Sequence, residues 1–273
     1  MAAVDSATDP VSGEFDGRVA VITGTSWIAA EVARLMVERG GSVVIVGPDV
    51  DVADEAVGPL GDSARFVTGS TRSDEDLDAA LHTAVQCFGG VDVIVAAHAS
   101  FVDDRLETDR ERWLEALDVN VAGTSLLVQK AVPLMEQRGG GAVVLVTSIS
   151  GKASQPDRLV YPVTKAALLG MVRNLAHVLA PKHIRVNSVS PGWTWSRNIE
   201  RRYGSRERAD RYAAEFQLLG RLGDPAEVAE AVLFMCSDRS SFTTGADLAV
   251  DGGYASTSPE ALGHAQIAVP EVG

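Results

Sequence analysis

The sequence predicts an α/β fold, a single doubly wound domain on a parallel sheet of about seven strands. Two observations carry this. Short, nearly continuous apolar runs recur along most of the 273 residues, as strands buried on both faces require. Between them lie stretches of helical periodicity, long enough to cross over between parallel neighbours. Composition agrees, since 46% apolar and 22% charged residues suit one sizeable core.

The predicted strands are Val19–Thr23, Val43–Gly47, Ala64–Thr68, Val91–Ala96, Ala142–Thr147, Ile184–Ser188 and Leu248–Val250. Ile28, Val32, Leu35 and Met36 repeat at helical spacing, as do Leu77, Leu81, Val85 and Phe88. Trp113, Leu117, Val121 and Leu127 start a longer helix running to about Gln137. No repeat or linker divides the domain, set at residues 15–255, with 193–220 as a partly helical lid. Residues 1–14 hold three acids and no base, which reads as a disordered lead-in rather than a signal peptide. Residues 256–273 read as an extended tail.

A net charge of −13 makes nucleic acid and anionic membrane poor partners. No run approaches the roughly 18 apolar residues of a membrane span. Cys87 and Cys236 stand far apart in helical segments and read as two buried thiols of a cytoplasmic protein. No metal site is expected.

The carboxyl ends of such strands form the ligand crevice. The first strand runs into Gly24, Thr25, Trp27 and Ile28, a turn that opens a helix and offers backbone N–H groups to a pyrophosphate. On its own this is equally a plain strand–helix turn. The second strand ends at Gly47, Pro48 and Asp49. Asp49 or Asp51 could bind a ribose diol, and no base stands nearby for a 2′-phosphate, so NAD is favoured over NADP. Both aspartates could instead be solvated loop residues.

Tyr161 and Lys165, four apart, share one helix face, with Pro162 fixing the tyrosine in the first turn. A neighbouring ammonium would lower the phenol's pKa toward useful acid–base range. Ser148 ends a strand where its hydroxyl can donate to a substrate oxygen. Asn120 sits inside a helix, a poor place for asparagine unless its amide has a specific bond to make. Singly, each reads as an ordinary surface or strand-end residue; the ordered set does not.

Asp118-Val119-Asn120-Val121-Ala122-Gly123, then Ser148, then Tyr161 and Lys165 resemble the tetrad of the short-chain dehydrogenase/reductase family. Ile184-Arg185-Val186-Asn187, Ser190-Pro191-Gly192, Gly223-Asp224-Pro225 and Val250-Asp251-Gly252-Gly253 extend the likeness over about Phe15 to Tyr254. The resemblance implies a Rossmann-type fold, usually tetrameric, and reversible hydride transfer between NAD(H) and an alcohol or ketone. It implies Tyr161 as general acid–base, Lys165 on the nicotinamide ribose, Ser148 on the carbonyl oxygen and Asn120 on a relay water. Ser70, Ala97, Pro191, Gly192, Thr194 and Ser196 would line the cofactor; Ser150, Trp193 and Trp195 would face substrate. The nucleotide end departs from the family pattern. Its first loop is one residue shorter, lacks the middle glycine and has Ala29 at the last one. Ser70 replaces an acid, and Ala96-Ala97-His98-Ala99 replaces Asn-Asn-Ala-Gly, leaving His98 open between pocket and packing roles.

Six arginines between Arg197 and Arg211 either salt-bridge with Glu200, Glu207 and Asp210 or serve an acidic group on an otherwise apolar substrate. Two other classes stay open on the eroded loop: a non-redox enzyme keeping Tyr161 and Ser148, and a non-catalytic binding partner.

Overall fold

A computed structural model describes residues 12–49 and 57–257. Seven parallel strands form one sheet in the order β3-β2-β1-β4-β5-β6-β7. They are β1 (Val19–Thr23), β2 (Ser42–Gly47), β3 (Ala64–Thr68), β4 (Val93–Ala96), β5 (Gly141–Val146), β6 (Ile184–Pro191) and β7 (Asp247–Val250). The order reverses between β1 and β4, where Thr23 lies opposite Ala96, so a crevice opens above that seam.

The principal helices are α1 (Trp27–Glu38), α2 (Asp74–Phe88), α3 (Arg110–Leu117), α4 (Gly123–Gln137), α5 (Val160–Leu179), α6 (Arg197–Tyr203), α7 (Arg206–Ala213) and α8 (Pro225–Cys236). Each sheet face buries its own core. Leu77 and Leu81 of α2, Leu127 of α4 and Leu168 of α5 pack on one face; Val32 and Met36 of α1 and Val232 and Leu233 of α8 pack on the other. A third cluster, Ala209, Ala213 and Leu222, lies beneath Trp193 and Trp195.

The predicted strands all form, β1 and β3 with the predicted bounds and the others with shifted ends. β4 starts at Val93, and just before it the Asp92 carboxylate accepts from the Val19 N–H and from Arg138. β6 runs on to Pro191, paired with β7. The single long helix expected to reach Gln137 is interrupted by one wider turn at Asp118–Ala122, a π-helical turn that carries Asn120. Cys236 is buried as expected, but Cys87 is exposed near the end of α2, whose apolar side faces the core through Leu77, Leu81 and Ala84 instead. Among the described residues no helix is long and apolar enough to cross a membrane, and no cluster could hold a metal ion.

Candidate active site

A cavity of about 880 Å³ sits above the seam between β1 and β4. Its floor explains two glycines. Gly24 adopts φ +98°, and a Cβ there would lie 2.9 Å from the His98 backbone; at Gly47 a Cβ would meet the Thr25 methyl at 2.6 Å. The first loop is therefore pressed onto β2 and β4. Ser26 caps α1 by accepting from the Ala29 N–H at 3.2 Å, which leaves the first turn of the helix facing the cavity at Trp27 and Ile28. Pro48, Ser70 and Ala97 complete this end. Ser70 is held by its N–H, which donates to Asp76 at 2.8 Å. Asp49 is exposed at the end of β2 and does not line the cavity; Asp51 lies outside the described residues.

His98 is both packing and pocket residue. Its Nε2 stands 2.9 Å from the Val119 carbonyl, which only accepts, so Nε2 carries the proton. Nδ1 is then the acceptor for the Thr23 hydroxyl at 2.5 Å. Burial first, and the charge of Lys165 second, push its pKa down to about 4, against the Val119 carbonyl, which raises it.

Ser148, Tyr161 and Lys165 all line this cavity. Ser148 follows β5, and its hydroxyl donates to Ser150 Oγ at 2.9 Å. Tyr161 lies in the first turn of α5. Asp103 fixes that turn by accepting from the Leu159 and Tyr161 N–H groups at 2.9 and 3.1 Å. Burial would raise the Asp103 pKa, but these backbone donors win and hold it low. Lys165 is buried and donates to the Val146 carbonyl at 2.8 Å, tying α5 to the end of β5. Burial pushes its pKa down to about 8. Burial also pushes the Tyr161 phenol up to about 12, opposed by the Ser148 hydroxyl and the Arg158 guanidinium. The cation expected to lower the phenol was Lys165; here its ammonium is committed to Val146, and the opposing cation is Arg158.

Asn120 is buried and does not line the cavity. Its Oδ1 accepts from the Ser100 N–H at 2.7 Å, and its Nδ2 donates to the Ser100 carbonyl and the Thr164 hydroxyl at 3.0 and 2.9 Å. This side chain joins the loop after β4 to α5. Its own carbonyl accepts from the Thr124 hydroxyl at 2.9 Å.

Pro191, Gly192, Trp193, Thr194 and Ser196 lead from β6 into the lid and line the cavity. Ser196 also caps α6, accepting from the Ile199 N–H. Trp193 packs among Tyr203, Tyr212 and Phe216. Trp195 does not line the cavity; it rests on Trp27, ring centroids 6.2 Å apart, and under Arg206. Arg206 is spent on Asp210 and Asp224. Arg202 lies over the Tyr203 ring and lines the cavity, as does Arg197.

Phe101, Asp103 and Arg158 were not read from the sequence. Asp103 is separated from Tyr161 by 58 residues, and no local spacing announces that bond. Arg158, three residues before Tyr161, does have a signal in the sequence: a base beside the acid–base residue.

A family profile described as enoyl-(acyl carrier protein) reductase matches residues 23–255. Dehydrogenase/reductase SDR family member 4 of Bos taurus is 36% identical over 244 residues, 87% of each chain. Cis-4-hydroxycyclohexanecarboxylate dehydrogenase of Sinomonas cyclohexanicum is 36% identical over 246 residues, 88% of this chain and 97% of that one. The crystal structure of L-sorbose reductase from Gluconobacter frateurii, complexed with NADPH and L-sorbose, superposes with a TM-score of 0.82 at 29% identity, covering 89% and 98% of the two chains.

Proposed function

The chain belongs to the short-chain dehydrogenase/reductase family, and on that premise we propose that it transfers hydride reversibly between NAD(H) and a secondary alcohol or its ketone. The observation that carries this reading is the meeting of Ser148, Tyr161 and Lys165 in one cavity beside the seam of the sheet. The residues present suit a dinucleotide: glycines pressed against the floor, a helix first turn at the wall and a volume of about 880 Å³. Gly24, Thr25, Trp27 and Ile28 would hold the pyrophosphate, with Gly47, Pro48, Ser70 and Ala97 around the adenosine. Pro191, Gly192, Thr194 and Ser196 would face the nicotinamide. When bound, the nicotinamide supplies or accepts the hydride.

The chain's own residues do the rest. Ser148 donates to the carbonyl oxygen, where negative charge builds during reduction. Tyr161 gives that oxygen its proton, or takes it in the reverse direction. Lys165, anchored on Val146, would present its charge to the ribose. Asn120 holds the loop after β4 against α5, and in the family reading it would hold a relay water. Ser150 and Trp193 border the substrate. The aromatic cluster around Trp193 favours a bulky apolar body. Two of the relatives named above carry L-sorbose and cis-4-hydroxycyclohexanecarboxylate in their names, both hydroxyl-bearing small molecules.

NAD is preferred in this reading because no lysine or arginine occurs between Gly47 and Asp54 to meet a 2′-phosphate. Comparison of kcat/KM with NADH and NADPH tests it, and a preference for NADPH would overturn it. Tyr161→Phe is expected to cost more than the roughly 10²–10⁴-fold typical of acid–base catalysis, while NADH binding and the circular dichroism spectrum stay as in the parent. Turnover near that of the parent would refute the mechanism. A cytoplasmic homotetramer completes the proposal.

A further inference from the structure

The chain carries a net charge of −13, yet the cavity wall reverses that sign. Among its described lining residues are Arg158, Lys165, Arg197 and Arg202, against one acid, Asp157. Asp157 is itself paired with Arg105 at 3.2 Å. Lys165 is bonded to the Val146 carbonyl, and Arg202 lies over Tyr203 on the lid.

Arg158 is the guanidinium among them that lies over the Tyr161 ring. Its guanidinium carbon stands 5.6 Å from the ring centre of Phe101 and 5.6 Å from that of Tyr161, and those two rings stack at 4.8 Å. It makes no ion pair among the described residues. The two aromatic faces orient a planar fork at the cavity rim, beside the acid–base phenol, with its N–H donors unspent on any carboxylate. Such a fork recognises a planar two-oxygen anion by paired hydrogen bonds.

Resting on the hydride-transfer reading above, we propose that Arg158 selects substrates bearing a carboxylate close to the reacting carbon. Its place over the Tyr161 ring sets that position: the acidic group lies beside the carbonyl end of the substrate, not at the far end of a long body. Of the lid arginines, which the sequence offered for this task, Arg206 is held by Asp210 and Asp224, and Arg202 lies over Tyr203 rather than over Tyr161. An anion entering this rim meets a favourable potential in a molecule that otherwise repels it, so the same residue governs entry as well as fit.

Two measurements test the proposal separately from turnover and with it. Calorimetric binding of cyclohexanecarboxylate, in the presence of NADH, is expected to be roughly tenfold tighter to the parent than to Arg158→Gln, intermediate for Arg158→Lys, and weaker as salt is raised. Its methyl ester should show no such dependence on residue 158. Equal binding of the acid to parent and Arg158→Gln, both folded by circular dichroism, overturns the proposal. So does a loss that follows Arg202→Gln instead. In turnover with NADH, the kcat/KM ratio of benzoylformate, whose carboxylate adjoins the ketone carbon, over its methyl ester should exceed about ten in the parent and approach one in Arg158→Gln. Turnover of both ketones at a ratio of one sinks the Arg158 inference and leaves hydride transfer standing. Arg158-dependent acid binding without turnover of either ketone, with NADH or NADPH, sinks the hydride-transfer reading and leaves the anion site standing.

Discussion

His98→Asn should remove a pH-dependent share of the stability. In the folded chain the imidazole is neutral, donating from Nε2 to Val119 and accepting at Nδ1 from Thr23. Its pKa falls from 6.5 to about 4 on folding, through burial first and the Lys165 charge second. The unfolded chain takes up this proton near 6.5 and the folded chain only near 4, so between those values the unfolded state binds more protons. The stabilisation is complete above pH 6.5 and is lost progressively as pH falls toward 4. The gap corresponds to about 3 kcal/mol at most, and because the ring borders the cavity, about 2 kcal/mol is the expected share. Asparagine can still donate to Val119 and accept from Thr23, but it does not titrate. Urea unfolding of both proteins at one concentration, at pH 7.5 and about pH 5, should show the parent losing more stability than the variant, by about 1–2 kcal/mol. Equal losses in the two proteins would mean that His98 does not resist protonation.

Gly24→Ala places a Cβ 2.9 Å from the His98 backbone at φ +98°, and should destabilise the fold by about 1–3 kcal/mol, read as a lowered Tm. An unchanged Tm would show that the loop relaxes freely. In light scattering at micromolar concentration the chain should run as a tetramer, since Leu114, Val163 and Val178 stand exposed on α3 and α5. A monomer would contradict this, and Val178→Glu should dissociate the assembly if α5 is at the interface.

The sheet was legible because parallel strands buried on both faces must be apolar almost throughout, as in Val43 to Val46 and Val143 to Val146. The catalytic residues were legible as a set, since Tyr161 and Lys165 lie one helical turn apart and Ser148 marks the end of a strand. What stayed hidden depends on distance in the chain. The hold of Asp103 on the first turn of α5, the bridge from His98 to Thr23 and Val119, and the stacking of Arg158 on Phe101 all join segments that only the folded sheet brings together. The wider turn at Asp118–Ala122 was hidden for another reason: a single inserted residue barely disturbs a helical period, so the pattern from Trp113 to Leu127 reads as continuous.

The packing of Trp27 on Trp195 gives the molecule a built-in optical reporter. Of the four tryptophans, Trp27 and Trp193 line the cavity and Trp195 touches Trp27, while Trp113 sits apart on α3. Intrinsic emission is thus weighted toward the lid and the nucleotide end. Two indoles 6.2 Å apart are close enough for their transitions to couple, so movement of the lid away from α1 would alter the near-ultraviolet dichroism as well as the emission. Replacing Trp113 with phenylalanine would leave a protein whose remaining fluorescence comes from the indoles around this one opening. Lid motion and dinucleotide binding could then be followed in real time without any attached dye.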